Sequence, residues 1–516
     1  MIADVDNPPL VILGLDAGDP DFIVRWAQEG YLPTIASIMD RGCWAKTSGP
    51  ELISEQGVWV SLFSGISRNQ HGYYYLRQLK SGTYDVEPTT GLDAQALPFW
   101  ADLARRDKKV AIIDVPDVYP VAGLSGIQLA NWAPHIGWVS KHPAFAATAE
   151  PARLLAEVRE IFGPQMHFVE KHNSRVEEDK LAYQGLLARI EKKGRLCRKL
   201  LAPDHFDLVV VVFSESHAAG HQFWKYRPQA QGGTATANEL THSIREVYQA
   251  IDRQMGLILA GLPSDANVLV ASSVGLEDYY PTVGLMEAFC RQLGYQDSPK
   301  STTLSLKPMA LLRRMVPAAW RIALSRHLPR DTRERLLASQ FRDSTNWENT
   351  TAFAIPSFYT SFVRINLRGR EPQGIVEPGT EYETILDRLE DDLMQLVNPH
   401  TGGSAVKQVR RTMEVFGGGL PVSLPDLFIE WKPGHVLNRV VHPRAELVQE
   451  EPEFLRVSDH SDHGFLAAAG PSIRGRGALG DVSLLDLAPT FLSLMGESQP
   501  EKLKGKVIKA LTAGRG

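Results

Sequence analysis

Leu208-Val-Val-Val-Val-Phe-Ser-Glu-Ser-His-Ala-Ala-Gly-His221 is the stretch that decides the fold. An unbroken run of β-branched and aromatic residues reads as a buried strand of a parallel sheet, covered on both faces. The run stops at Ser214, and Glu215, His217 and His221 follow at once. Open α/β sheets place their sites just beyond the carboxyl ends of their strands. Three candidate metal ligands therefore sit where such a fold does its chemistry. A second polar cluster, Asp459-His-Ser-Asp-His-Gly464, lies far along the chain and is positioned in sequence to close the same site.

Similar segments recur on either side. Leu10-Val-Ile-Leu-Gly-Leu15 is an apolar run ending at the turn Asp16-Ala-Gly-Asp-Pro20, and Asp21 to Arg41 has helical spacing. Val110–Asp114 and Val268–Ala271 read as further strands, the latter ending at Ser272-Ser273. Residues 151–202 read as long helices. Ala352–Pro356, Ser361–Asn366 and Phe465–Ala469 are late strands, and Ser483–Leu494 is a final helix. Alternating strands and helices predict an α/β fold with a mainly parallel, doubly wound sheet and helices on both faces. Met309 to Leu337 is basic and helical, so residues 296–346 are expected to form an inserted cap, its arginines a solvated face. The α/β core is then expected over 1–295 and 347–516.

The 516 residues suffice for a large core, and 43% hydrophobic with 22% charged residues is ordinary for a globular protein. A formal net charge of −5 offers no basic field to a nucleic-acid polymer. No apolar run is long enough to span a bilayer. Cys43, Cys197 and Cys290 are few, odd in number and far apart, which argues against a disulfide framework. The opening residues lack a basic segment followed by an apolar one. The expected setting is cytoplasmic, away from membranes, with a small anionic molecule as substrate; the sequence leaves the oligomeric state open.

The motifs, in order, make the chain similar to the type I phosphodiesterase/nucleotide pyrophosphatase family of the alkaline phosphatase superfamily. Val11-Ile-Leu-Gly-Leu-Asp16 with Gly30-Tyr-Leu-Pro33 resembles the family's first strand and its metal-binding Asp. Trp59-Val-Ser-Leu-Phe-Ser-Gly65 and His71-Gly72 resemble the stretch after its nucleophile. Asn366-Leu-Arg-Gly-Arg-Glu-Pro-Gln-Gly-Ile-Val376 resembles a signature of bacterial members. Asp426–Trp431, Ala468–Pro471 and Asp486–Thr490 continue the pattern. The resemblance implies an alkaline-phosphatase-like fold and hydrolysis of phosphoryl or phosphonate esters by two metals and a coordinated Thr or Ser nucleophile.

Three positions depart from that pattern. The nucleophile position, four residues before Trp59, holds Glu55, with Ser54 one step earlier. Either Ser54 serves after a one-residue slip, or the Glu55 carboxylate acts as ligand, base or nucleophile. The position four before His221, an Asp in the family, holds His217, so either His217 or Glu215 replaces it. On a helix, residues four apart share a face, which lets His217 and His221 bind one ion. The third motif, Ser-Asp-His-Gly in the family, reads Ser272-Ser-Val-Gly275. Valine cannot coordinate and a neutral serine is a poor zinc ligand, so the second-metal site is expected to be dismantled. By the resemblance, His460, four residues before Gly464, is the remaining ligand of the first metal.

The expected site set is therefore Asp16, Glu215, His217, His221 and His460 around metal, with Ser54 or Glu55 at the reacting position. Such donors suit one divalent ion rather than two, zinc first, with iron or manganese as alternatives. Three readings remain: a metal-dependent phosphodiesterase-like hydrolase, a metalloenzyme of diverged chemistry, and a non-catalytic binding protein. Trp59, Trp224 and Trp347 read as packing residues and His71 as structural. Of Arg364, Arg368 and Arg370, at least two are expected to be solvated.

Overall fold

Every side chain of Leu208–Phe213 is buried in a strand at the centre of the main sheet. Burying residues of this size contributes roughly 1.5–3 kcal/mol each, so the run is committed to the interior before any partner is considered. The computed structural model describes residues 7–54, 56–134, 143–171, 174–228, 238–299, 341–434, 436–449 and 456–512.

In spatial order the main sheet runs Gly477–Ala478, Cys43–Ser48, Gly464–Ala469, Asn267–Ser272, Leu10–Leu15, Leu208–Phe213, Lys109–Ile113, Ser125–Ala130 and Thr148–Glu150, with Val482–Ser483 also paired to Cys43–Ser48. The five strands from Asn267–Ser272 to Ser125–Ala130 are mutually parallel. Gly464–Ala469 and Thr148–Glu150 run antiparallel to their neighbours. Leu15 stands opposite both Phe213 and Ser272, so three strands end at one level. That common end places Asp16, Ser214 and Ser273 side by side. The fold is doubly wound α/β, as the alternating pattern predicts.

The helical stretch predicted over Asp21–Arg41 is two helices, Pro20–Gln28 and Pro33–Arg41. Gly30 takes a φ of 82°, and Pro33, which lacks a backbone N–H, opens the second helix. The final helix is Leu487–Leu494, entered through the tight turn Leu484–Asp486. Two long helices form within 151–202, Arg153–Phe162 and Val176–Leu201.

The chain divides into two compact units: Met1–Tyr75, Thr90–Tyr280 and Glu453–Gly516, and Leu76–Thr89 with Pro281–Pro452. These limits differ from the expected core of 1–295 and 347–516, since residues 76–89, 281–295 and 347–452 belong to the second unit. That unit has its own antiparallel sheet, Ala352–Ile355, Ser361–Ile365, Leu427–Trp431 and Val406–Arg411. Most of the expected cap, including Met309–Leu337, lies outside the described residues.

Two of the arginines expected in solvent are internal. Arg364 is 1% exposed and pairs with Glu371 at 2.6 Å. Arg370 reaches Asp426 at 2.7 Å and Glu371 at 2.9 Å. Arg368 is exposed and pairs with Glu377. A buried guanidinium requires such partners, which explains the charged residues in 364–371 as structural. Among the described residues no helix is long and apolar enough to cross a membrane. Cys43, Cys197 and Cys290 are buried and free.

Candidate metal centre

The strand Leu208–Phe213 turns at Ser214 into the helix Glu215–Phe223, all of it buried. The 217/221 spacing puts both imidazoles on one face, with ring centroids 4.7 Å apart. His460 comes from the strand Ser458–Ser461, which pairs antiparallel with Gly275–Asp278 so that His460 faces Leu276. Gly220 permits the approach of helix to ribbon: a Cβ there would stand 2.2 Å from Leu276 Cδ1. The His460 ring lies 4.9 Å from that of His217 and 4.8 Å from that of His221. Imidazoles 239 residues apart in sequence thus converge.

One nitrogen from each of the three rings lies within 4.8 Å of the others. Nε2 of His221 is 3.3 Å from Nε2 of His460. A tetrahedral zinc with Zn–N bonds of about 2.0–2.1 Å has edges of about 3.3–3.4 Å, so this pair is spaced as two ligands of one ion. The hydroxyl of Ser458 lies 2.9 Å from Nδ1 of His221 and donates to the Gly220 carbonyl at 3.3 Å. His217 and His221 are 3% and 4% exposed, while His460 is half-buried. Among the described residues this is the one cluster of His, Cys, Asp or Glu with ligand geometry.

Asp16 and Glu215, expected as ligands, are not part of this cluster. Oδ1 of Asp16 accepts from Trp59 Nε1 at 2.6 Å and from Ser273 Oγ at 3.2 Å. Its Oδ2 stands 3.2 Å from Nδ1 of His217. The two atoms approach outside hydrogen-bonding alignment, so the carboxylate acts on this ring through its charge. Glu215 is fully buried against Arg189, whose Nε donates at 2.7 Å. Arg189 also donates to Ser214 Oγ and to the carbonyls of Met166 and Pro134. Glu215 therefore compensates a buried guanidinium.

At the third motif, Val274 is wholly buried and Ser273 donates to Asp16 while accepting from Ala17 N at 3.1 Å. The chain then continues directly into Gly275–Asp278, the strand that holds the His460 strand. Asp459 is buried on that ribbon opposite Glu277, and His463 is partly exposed beside Asp462 at 2.9 Å.

The loop before the helix Val58–Ser64 carries the position expected from the sequence to react. Glu55 lies outside the described residues. Ser54 has a φ of 126°, a conformation costly for any residue with a Cβ, and its hydroxyl donates to the Tyr74 carbonyl at 2.9 Å. Arg68, wholly buried, holds this loop by donating to the carbonyls of Glu51, Ser54 and Gln56 at 2.6, 2.9 and 2.9 Å. Burial lowers its pKa to about 10, so it stays charged at neutral pH. His71 is structural, as expected: Nε2 meets Ser61 Oγ at 2.9 Å and Nδ1 accepts from Tyr73 N at 3.1 Å. Burial, with Arg68 adding to it, pushes His71 down to about 3 and keeps it neutral.

Sequence reasoning missed Arg456 and Ser458. Nε of Arg456 lies 2.9 Å from His221 Nδ1, and Nη2 lies 3.2 Å from His460 Nε2 and closer still to His221 Nε2. The signal was present: in extended chain, alternate residues share a face, so Arg456, Ser458 and His460 point one way. Trp59 was read as packing alone; its hydrogen bond to Asp16 gives it a polar task as well.

No family model matches the sequence, and no curated protein does. Among solved structures, phosphonoacetate hydrolase from Sinorhizobium meliloti 1021, in complex with phosphonoformate, is similar at a TM-score of 0.51 and 13% identity, over 95% of this chain and 96% of that one. Murine ectonucleotide pyrophosphatase/phosphodiesterase 5 is similar at 0.47 and 11%, over 95% and 96%, and the human protein at 0.47 and 11%, over 98% and 100%. The hydrolase likeness, with the sheet order above, shows an alkaline-phosphatase-like doubly wound α/β fold.

Proposed function

We propose that this chain is a metal-dependent hydrolase of phosphodiester or related phosphoryl or phosphonate esters, acting on a small anionic molecule through one metal. The convergence of His217, His221 and His460 on one point, with tetrahedral spacing between two of their nitrogens, carries the reading. Its likeness in fold to a phosphonoacetate hydrolase supports the choice of substrate class. Three neutral imidazoles suit zinc, with iron or manganese as alternatives.

When bound, a divalent ion supplies Lewis-acid polarisation of a phosphoryl oxygen and an acidified water. His217, His221 and His460 would hold it. The Asp16 carboxylate lies beside the His217 ring and the Ser458 hydroxyl beside that of His221, so each imidazole has an outer polar neighbour. Arg68 anchors the carbonyls of Ser54 and Gln56, so that Ser54 meets the substrate at a fixed position. The alternative role for Glu55 is general base. The buried free thiols support a reducing, cytoplasmic setting.

The test is metal content of tag-free protein together with turnover of bis-nitrophenyl phosphate and nucleotide esters with added zinc or manganese. About one ion per chain and turnover abolished in His221→Ala is the expected result; turnover no greater than that control sinks the proposal. One ion without esterase activity would favour the second reading, a metalloenzyme of diverged chemistry, for which the loss of ligands at Ser273 and Val274 speaks.

A further inference from the structure

Arg456 is 8% exposed, yet its guanidinium lies against two of the three imidazoles that would bind a metal. Its contacts to both nitrogens of His221 cannot both be hydrogen bonds, because a neutral imidazole has one acceptor nitrogen. Nε donates to His221 Nδ1, and the fork then carries Nη2 to the metal-facing nitrogens of His221 and His460. What the position provides is a fixed positive charge beside the metal-facing nitrogens. With a divalent ion in the cluster, two cations would stand within a few ångströms and repel. An oxyanion held between them removes that repulsion and gains from both. The guanidinium fork matches two oxygens of one phosphoryl or phosphonyl group.

The need for such a charge follows from the third motif. A phosphoryl group in transfer spreads negative charge over its oxygens, which two metals or a metal and a cationic side chain must balance. Here Val274 is apolar and Ser273 is engaged with Asp16, so that position supplies no cation of its own. Resting on the hydrolase reading above, we propose that Arg456 is the substrate-binding cation of this site: it holds an oxygen pair of a tetrahedral phosphoryl or phosphonyl anion against the single metal, in place of a second ion.

Binding of inorganic phosphate, read by calorimetry, tests this with zinc-loaded and chelator-treated wild type, Arg456→Gln and Arg456→Lys. Zinc affinity is measured alongside by chelator competition. Arg456→Gln should bind phosphate at least tenfold more weakly than wild type while holding zinc as tightly or more tightly. Arg456→Lys should recover part of the loss, keeping the charge without the fork. Unchanged phosphate affinity in Arg456→Gln overturns the proposal, as does joint loss of zinc and phosphate, which would make Arg456 a structural support. Should wild type take up no more zinc than His221→Ala, the hydrolase reading fails by itself. Arg456 is then judged on metal-free protein, where a tenfold loss of phosphate in Arg456→Gln still upholds the anion site, and no binding, or no loss, overturns it.

Discussion

Asp16→Asn separates a carboxylate that orients a ligand from one that coordinates. The exchange is nearly isosteric. The amide oxygen can still accept from Trp59 Nε1 and Ser273 Oγ, now 2.6 and 3.2 Å from Oδ1. The amide nitrogen replaces Oδ2 and comes to stand 3.2 Å from His217 Nδ1. The amide removes the negative charge beside that nitrogen and brings a donor toward it, which favours the tautomer with its proton on Nε2, the nitrogen proposed to bind metal. Ligation by His217 is thereby disfavoured while the other two imidazoles remain. Loss of such outer carboxylates weakens metal binding roughly 10–100-fold, about 1.4–2.8 kcal/mol. Zinc affinity of tag-free protein, by competition with a chromophoric chelator at neutral pH, reads this directly. The melting temperature of the chelated variant, expected within a few degrees of wild type, confirms that the fold is intact. Wild-type zinc affinity in Asp16→Asn would refute the orienting role.

Glu215→Gln should leave zinc affinity unchanged but destabilise by about 3–5 kcal/mol, because it strips the charge partner from buried Arg189; a selective loss of zinc in thermal and competition assays would restore Glu215 as a ligand. Chelation should lower the melting temperature of wild type and not of His221→Ala, since 1,000-fold excess of metal over Kd stabilises by about 4 kcal/mol; equal shifts in scanning calorimetry count against the centre. His71 is held at about 3 against an ordinary 6.5, so the unfolded chain binds a proton there that the folded one refuses. Stability from this group is whole above pH 6.5 and declines as pH falls toward 3, by at most about 5 kcal/mol. The pH dependence of unfolding should be flatter in His71→Gln, and an identical slope would show that His71 does not govern it.

The legible parts were those written locally. Leu208–Phe213 announces its strand by apolar continuity, and the 217/221 spacing needs only one helix. His460 was found because its strand and the glycine after it form a short, recognisable string. Partnerships were not legible. Nothing near Glu215 in sequence signals Arg189, 26 residues earlier, and nothing near Asp16 signals His217. Both carboxylates look like ligands until their neighbours are known. The second unit escaped notice because its short antiparallel strands resemble a continuation of the first sheet, whereas membership depends on pairing. Arg364 and Arg370 looked like solvent residues for a similar reason, their carboxylate partners lying up to 56 positions ahead.

The late strand Gly464–Ala469 sits inside the main sheet, between Cys43–Ser48 and Asn267–Ser272. Until the ribosome has released residues 464–469, those two neighbours carry bare hydrogen-bonding edges, each open to pairing with a stranger. A nascent chain stalled short of residue 464 would be a sheet with a slot in it, prone to aggregate. The same few residues that fill the slot follow closely on His460, so completion of the scaffold and assembly of the three-histidine cluster become a single event.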